Sequence, residues 1–401
     1  MRILIADKFS DDGRESLRGF GHEVIYDPGL AAGTLPEALS RLRPEILIVR
    51  STEVTDAALA ASTALSLVIR AGAGVNTIDL ESASRRGIFV TNCPGQNAIA
   101  VAELAFALML ALDRRVCEAN AELTAGVWNK KEYGKGRGIQ GRRLGLIGYG
   151  SIAREVAKRA RAFGMQVGAF NPTIDRERAA ADKVEVFEKL DDLLQVSDVL
   201  SLHVPYRETT RHMIGARELS LLPDGALVIH TARGGVIDDR ALAEAVSSGR
   251  IRAGLDVYED EPTVDKGAFD SPLRELPGIY KTPHIGASTE QAAEAIAAET
   301  VRIVKEFAER GVVPNVVNLE TGRAGNYTIV VRHLDRVGVL AGILDSLRRH
   351  QLNVQQMSNV VFKGKDGAAS ATIVVENEPL ADLLDDIRKH ESVLWVDFRA
   401  T

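Results

Sequence analysis

Arg233, Glu261 and His284 are the residues of this sequence best placed to do chemistry. Arg233 lies in "HTARGG", Glu261 in "DVYEDEP" and His284 in "TPHIGAS", each just past or on a loop adjoining an apolar run that reads as a strand. In open α/β sheets, ligands gather beyond the carboxyl ends of the strands. Imidazole is tuned for acid/base work near neutral pH. A carboxylate beside it raises its pKa and fixes its orientation. A guanidinium offers a two-pronged grip on a carboxylate. Together these three suit removal of a hydroxyl proton while hydride passes between a hydroxyl carbon and a nicotinamide. Taken singly, each has a plainer reading: a structural histidine, a surface ion pair, or a solvated acidic loop over residues 259–261.

The nicotinamide enters through a glycine turn. "GLIGYGSIAREVA" contains Gly148, Gly150 and Ala153 in G-x-G-x-x-A spacing, between an apolar strand and an amphipathic helix. The first glycine permits the tight turn, the second admits the pyrophosphate, and the small third residue lets helix and strand pack closely. The amides of Ser151 and Ile152 open the helix and face the anion. The next strand, "QVGAF", ends on Asn171 where an acid ordinarily bonds the adenosine ribose. An amide still bonds a hydroxyl but does not repel a 2′-phosphate. NAD is therefore expected, with NADP left open. Arg176 and Arg178, a few residues on, suit either a phosphate clamp or an ordinary arginine surface.

These residues need a scaffold. Apolar runs "RILIAD", "HEVIYD", "ILIVRS", "LSLVIRAGAG" and "IFVTN" alternate with helical stretches. That is the pattern of a parallel, doubly wound sheet. "AIAVAELAFALMLALDRRVCEANAELTAG" reads as one long, largely buried helix, and "NKKEYGKGRGIQGRR" as a solvated loop or subunit contact. A second doubly wound, Rossmann-like unit starts at Arg143 with "RLGLIGYG", "QVGAFN", "VSDVLSLHVP", "GALVIHTARGG" and "RAGLDVYEDEP". "STEQAAEAIAAETVRIVKEFAERG" is a helix, and "VVPNVVNLETGRAGN" a linker. From residue 325 the order changes to βαββαβ, with a hairpin turned at "GKDG", a ferredoxin-like arrangement.

Composition sets bounds around this. The chain has 401 residues, 45% hydrophobic and 26% charged, enough for two or three domains with real cores. A net charge of −6 argues against a nucleic-acid or membrane surface. The two cysteines, Cys93 and Cys117, match neither a metal site nor a disulfide framework, so no metal is expected and a reducing cytoplasm is. "MRILIADKFS" lacks the features of a signal peptide.

At these residues the sequence resembles the D-isomer-specific 2-hydroxyacid dehydrogenases, most closely their phosphoglycerate branch. "VRSTEVT", "AGAGVNTIDL", "NCPGQNAIAVAELAFALML", "GLIGYGSIAREVA", "SLHVP", "TARGGVIDDRAL", "GLDVYEDEP" and "TPHIGASTEQA" carry the likeness in order and spacing. The resemblance implies a substrate-binding domain over 1–96, completed by 285–320, a dinucleotide-binding domain over 97–284, and a C-terminal domain of the ACT regulatory type over 325–401. It implies that Arg233 binds the carboxylate and carbonyl, that His284 is the acid/base and that Glu261 is its partner. Asp256 would hold the carboxamide, and Val204, Thr231 and Ala287 would line the cofactor. Gly72 and Gly74 would cradle the substrate carboxylate. Arg50, Ser51, Arg70 and Asn97 would hold a substrate phosphate. His333, Asp335 and Asn353 match positions that bind an amino-acid effector in regulated relatives, although Asp335 replaces a frequent amide and Val337 a frequent proline. A domain that only mediates assembly is the alternative there. The expected assembly is a homodimer or homotetramer.

The expected substrate is thus a phosphorylated 2-hydroxy acid, at the entry to serine biosynthesis. Two rivals remain: a glyoxylate or hydroxypyruvate type of reductase, and a nucleotide-sensing interaction protein on the same scaffold.

Overall fold

The structure is a computed structural model that describes residues 1–262, 267–319, 325–363 and 367–400. Residues 320–324 of the expected linker and 364–366 of the expected hairpin turn lie outside the described residues. The chain divides into two compact units, Met1–Asn318 and Leu319–Thr401.

The first unit holds two parallel sheets. Strands β1 (Arg2–Ile5), β2 (Glu23–Tyr26), β3 (Ile46–Val49), β4 (Leu67–Arg70) and β5 (Phe89–Asn92) form a sheet of order β2-β1-β3-β4-β5. β3 is apolar throughout, and β1 and β4 are apolar but for Arg2 and Arg70 at their ends, because helices cover both faces, as parallel sheets require. One of those helices, Glu290–Arg310, returns from far along the chain. Its Ile296, Ile303 and Val304 pack with Ile3, Ile48 and Ile69.

The second sheet contains β6 (Arg143–Ile147), β7 (Gln166–Phe170), β8 (Glu185–Val186), β9 (Val199–Leu202), β10 (Ala226–His230), β11 (Ile251–Leu255) and β12 (Ile279–Lys281). Its order is β12-β11-β10-β9-β6-β7-β8, so the connection reverses direction between β6 and β9. A crevice opens at such a switch point beyond the strand ends. The first sheet has its own switch point between β1 and β3, beyond which lie Asp7 and Arg50. β8 and β12, two and three residues long, were not expected from the sequence; edge strands this short leave no readable periodicity.

Two expectations need correction. The long helix is two helices, Ala98–Arg114 and Val116–Thr124, broken at Arg115, which adopts left-handed φ 52°. Its guanidinium pairs with Glu132 at 2.6 Å and lies over the Tyr133 ring. Only the first helix is buried; Val116–Thr124 buries no residue. The Gly- and Lys-rich loop is also not wholly solvated. Arg142 is 4% exposed, bonded to Asp113 at 3.1 Å and to the Asp198 carbonyl at 2.8 Å. It anchors the start of β6 to the end of the buried helix.

The second unit is a four-stranded antiparallel sheet of β13 (Tyr327–Leu334), β14 (Val354–Val361), β15 (Ala368–Val375) and β16 (Val393–Ala400), ordered β14-β15-β13-β16. Helices Val339–Arg349 and Ala381–Arg388 bring Ile343, Leu347, Leu383 and Ile387 onto Ile329, Val331, Ile373 and Val396. The βαββαβ order is therefore the observed one. No helix among the described residues is long and apolar enough to cross a membrane.

Candidate active site

Glu261 and His284 come together although they are 23 residues apart. His284 Nδ1 lies 2.7 Å from Glu261 Oε2. The other carboxylate oxygen accepts the Tyr258 amide at 2.9 Å, which fixes its direction. His284 sits at φ 51°, a left-handed conformation uncommon for this residue type. Its amide donates to the Asp256 carbonyl at 2.9 Å. Asp256, 1% exposed, holds the rest of the turn. Its Oδ1 accepts from Thr282 Oγ1 at 2.5 Å and the Ile285 amide at 2.8 Å, and its Oδ2 accepts from the Gly286 amide at 2.8 Å. A Cβ on Gly286 would meet that Oδ2 at 2.9 Å. Asp256 is thus already engaged as the brace of the 282–286 turn, a role that the sequence did not reveal.

The electrostatics follow from this contact. The hydrogen bond that His284 donates to Glu261 raises the His284 pKa, with burial opposing. Burial alone would raise Glu261; the bonds from His284 and the Tyr258 amide overcome it and hold the carboxyl below its usual range. Two other histidines end strands nearby. Burial pushes His203 down to about 3 and His230 down to about 4, so both stay neutral at working pH. His284 is the one whose surroundings favour the charged form. That separates a group suited to proton donation from neutral neighbours.

Three guanidiniums gather beside this pair, and the charge of one, Arg233, acts on both His284 and Glu261. The Arg70 pKa is lowered first by burial, then by Arg233 and Arg50 facing it. Among the described residues, no carboxylate forms an ion pair with any of the three. The loop at residues 72–74 makes the approach possible. A Cβ on Gly72 would overlap the Arg70 guanidinium, and one on Gly74 would come within 3.3 Å of Arg233 Nη2. Arg233 itself donates to the Ala232 carbonyl at 2.6 Å. Mutually repelling cations without an ion-pair partner among the described residues leave positive charge that an anion would offset.

Asp7, overlooked in the sequence, organises one edge of this site. Its carboxylate accepts the amides of Arg50 at 2.6 Å, Ser51 at 3.1 Å and Thr52 at 3.0 Å, and the Ser51 hydroxyl at 2.9 Å. Ser51 therefore directs its donors toward Asp7. The signal in the sequence was an acid ending the first strand, opposite "RST" ending the third. Asn97 precedes the helix Ala98–Arg114, and its side chain makes no capping bond among the described residues.

The glycine turn is shaped to pass a dinucleotide. Gly148 has φ 88°, and a Cβ there would lie 2.6 Å from the His203 carbonyl and 2.9 Å from Val204 Cγ1. Gly150 begins the helix Ser151–Ala162 without a side-chain cap, and a Cβ there would meet nothing within 4 Å. The first amides of that helix, at Ser151 and Ile152, thus open onto free space. Ala153 is fully buried in the adjoining core. Thr231, 5% exposed, ends β10 with its hydroxyl unpartnered. Asn171 and Ala287 are half-buried at the same strand ends. Arg176 pairs with Glu188, and Arg178 lies 3.9 Å from Asp182; both are more than half exposed. Their charges are already answered by acids. In the C-terminal unit, His333 is buried with both ring nitrogens engaged, by the Leu334 carbonyl at 2.8 Å and Asn359 at 3.2 Å, whereas Asp335 and Asn353 are exposed. The described hydrogen bonds do not join these three.

Comparison with known proteins agrees with this geometry. Residues 106–286 match the model of the D-isomer specific 2-hydroxyacid dehydrogenase, NAD binding domain. The chain belongs to the D-isomer specific 2-hydroxyacid dehydrogenase family and is an NAD-dependent oxidoreductase. It is 35% identical over 392 residues to the D-3-phosphoglycerate dehydrogenase of Methanocaldococcus jannaschii, covering 97% of this chain and 70% of that protein. It is 43% identical over 280 residues to the hydroxypyruvate reductase of Thermotoga maritima, covering 69% of this chain and 89% of that one. It spans 59% to 66% of the length of further D-3-phosphoglycerate dehydrogenases that it matches. Among solved structures, the D-lactate dehydrogenase of Aquifex aeolicus with NAD and lactic acid superposes with a TM-score of 0.67 at 30% identity, over 80% of this chain and all of that one.

One expected outcome concerns the cofactor turn. Gly148→Ala forces a non-glycine residue to φ 88° and into the His203 carbonyl. Strain alone costs about 1–2 kcal/mol, so NADH affinity falls by roughly tenfold or more, measured by fluorescence titration. Unchanged affinity would contradict the placement of the dinucleotide at this turn.

Proposed function

We infer that the protein is a D-3-phosphoglycerate dehydrogenase, interconverting 3-phospho-D-glycerate and 3-phosphohydroxypyruvate with NAD in the first step of serine synthesis. The observation that carries this reading is the group Arg50, Arg70 and Arg233, three guanidiniums close enough to repel one another and without an ion-pair partner among the described residues. A substrate with a carboxylate at one end and a phosphate dianion at the other supplies the missing charge. The relatives named D-3-phosphoglycerate dehydrogenase support the same substrate.

In this reading, the five-stranded unit with its returning helix binds substrate, and the seven-stranded unit binds the dinucleotide. Arg233 and the amides of 72–74 hold the carboxylate. Arg50 and Arg70, with Asn97 and the Ser51 region, hold the phosphate. The amides of Ser151 and Ile152 receive the pyrophosphate, Asn171 the ribose, and Val204, Thr231 and Ala287 line the nicotinamide. When bound, the dinucleotide supplies hydride transfer. His284 gives a proton to the carbonyl oxygen in reduction and takes it back in oxidation. Glu261 orients the ring and stabilises its charged form. Asp256 acts through the turn it braces. A cytoplasmic location, a homodimer or homotetramer, and an amino-acid effector near Asp335 and Asn353 complete the proposal.

Titration separates this reading from action on unphosphorylated acids. With NAD present, 3-phospho-D-glycerate should bind at least about a hundredfold more tightly than D-glycerate, since each charge-assisted contact contributes roughly 1.5–3 kcal/mol. Equal affinities would overturn it.

The pH dependence has a definite sign. His284 must be protonated for reduction, and Glu261 raises its pKa. Reductive kcat/KM therefore falls as pH rises through that raised value. Glu261→Gln removes the charge, lowers the His284 pKa and moves the falling limb to lower pH. An unmoved limb in that variant would contradict the pairing.

A further inference from the structure

The turn that carries Glu261 also carries a second carboxylate–histidine pair. Glu259 Oε1 lies 2.7 Å from His212 Nε2. His212, like His284, is held at a left-handed φ, here 48°. It belongs to the segment that follows β9 and Val204, and its amide donates to the Gly235 carbonyl at 2.8 Å. The Glu259 amide donates to Asp239 Oδ2 at 3.1 Å, and Asp239 is 6% exposed at the start of the helix Asp239–Ser247. A Cβ on Gly234, next to Arg233, would overlap the Tyr258 carbonyl. Three loops are thus fastened at one point: the one after β9, the one bearing Arg233, and the 258–261 turn.

We propose that the His212–Glu259 pair, with Asp239 beneath it, is a positioning clasp that keeps Glu261 within bonding distance of His284. One residue, Asp260, separates Glu259 from Glu261, and the Tyr258 amide between strand and turn is itself a donor to Glu261. A turn held at only one edge pivots. Held at Glu259 by both its side chain and its amide, it presents the Glu261 carboxylate in one direction. Preorganisation of this kind is what acid/base pairs require. The titratable groups around the clasp are Asp238, Asp239, Asp260 and His212; burial, against the bond from the Glu259 amide and helped by the charges of Glu259, Asp260 and Asp238, pushes the Asp239 carboxyl up to about 6. His212 and Glu259 are positioning residues.

This inference rests on the reading of Glu261–His284 as the acid/base pair, and the experiment keeps the two apart. NADH-dependent reduction of 3-phosphohydroxypyruvate is followed from pH 5 to 10 in the wild type, Glu261→Gln, Glu259→Ala, Glu259→Gln, His212→Asn and the His212→Asn/Glu259→Ala double variant. Asparagine suits the left-handed backbone at 212. The expected result is about a tenfold loss of kcat in Glu259→Ala and His212→Asn, with KM for NADH within twofold. The falling limb moves to lower pH, as in Glu261→Gln. Glu259→Gln, which keeps a hydrogen-bond acceptor, retains most activity, and the double variant is no worse than either single one. If Glu261→Gln moves the limb and the Glu259 and His212 variants leave it in place, the clasp is overturned. If Glu261→Gln leaves it in place, the acid/base reading fails and the clasp with it.

Discussion

Replacing His284 with alanine lowers kcat by roughly a thousandfold, within the 10² to 10⁴ range of a lost general acid, and leaves NADH affinity within about twofold. His284 is bonded through its Nδ1 to Glu261, and among the described residues nothing bonds its Nε2. No other histidine at these strand ends can replace it, because His203 and His230 are held neutral by burial. The ring is 46% exposed, so its loss removes little packing. Alanine fits φ 51° poorly, and His284→Asn, which tolerates a left-handed backbone, is the companion variant. Both should lose turnover alike. Stopped-flow NADH oxidation with a parallel binding titration checks this, and near-normal turnover in His284→Asn would remove His284 from the proton transfer.

Arg70→Ala separates substrates more sharply than any other single change. Its guanidinium faces Arg50 and Arg233 and is lowered by burial and by both of them. It forms no ion pair among the described residues, so the free protein loses none through its removal. A phosphorylated substrate, by contrast, loses a charge-assisted contact in a crevice, about 3–4 kcal/mol by analogy with truncated charge pairs. kcat/KM for 3-phosphohydroxypyruvate therefore falls by roughly two to three orders of magnitude, mostly through KM. Hydroxypyruvate, without the phosphate, changes only a few-fold. Equal losses on both substrates would mean that Arg70 serves the fold or the carboxylate.

Most of the framework was legible because parallel sheets write themselves plainly. Runs such as "ILIV" at β3 and "LVIR" at β4 are buried on both faces and leave little else to be. The glycine turn was legible for a related reason, since Gly148 is required by a positive φ and a close carbonyl. The break at Arg115 was not. A left-handed arginine has no local signature, and what stabilises it is a later pairing with Glu132 and Tyr133. β8 and β12 were too short to carry a pattern. At the site, side chains that end strands were visible, but what they bond was not. Asp256, which the resemblance gave as the holder of the carboxamide, braces the turn beneath His284. Ser51 was expected to face substrate and directs its donors to Asp7. Both carboxylates are answered by backbone amides, and amides carry no residue identity from which to infer a partner.

Asp7 and Asp256 also show how the site is built. Each sits at a strand end, each collects three or four donors, and each fixes a loop whose functional residue points elsewhere. Rigid loops of this type keep reacting groups in place without needing their own side chains to pack.

The most direct measurement is kcat/KM for NADH-dependent reduction of 3-phosphohydroxypyruvate beside hydroxypyruvate, on the wild-type protein. The three unpaired arginines predict a preference of at least about a hundredfold for the phosphorylated acid. Equal rates, or a preference for hydroxypyruvate, would contradict the assignment and make the protein a reductase of unphosphorylated acids.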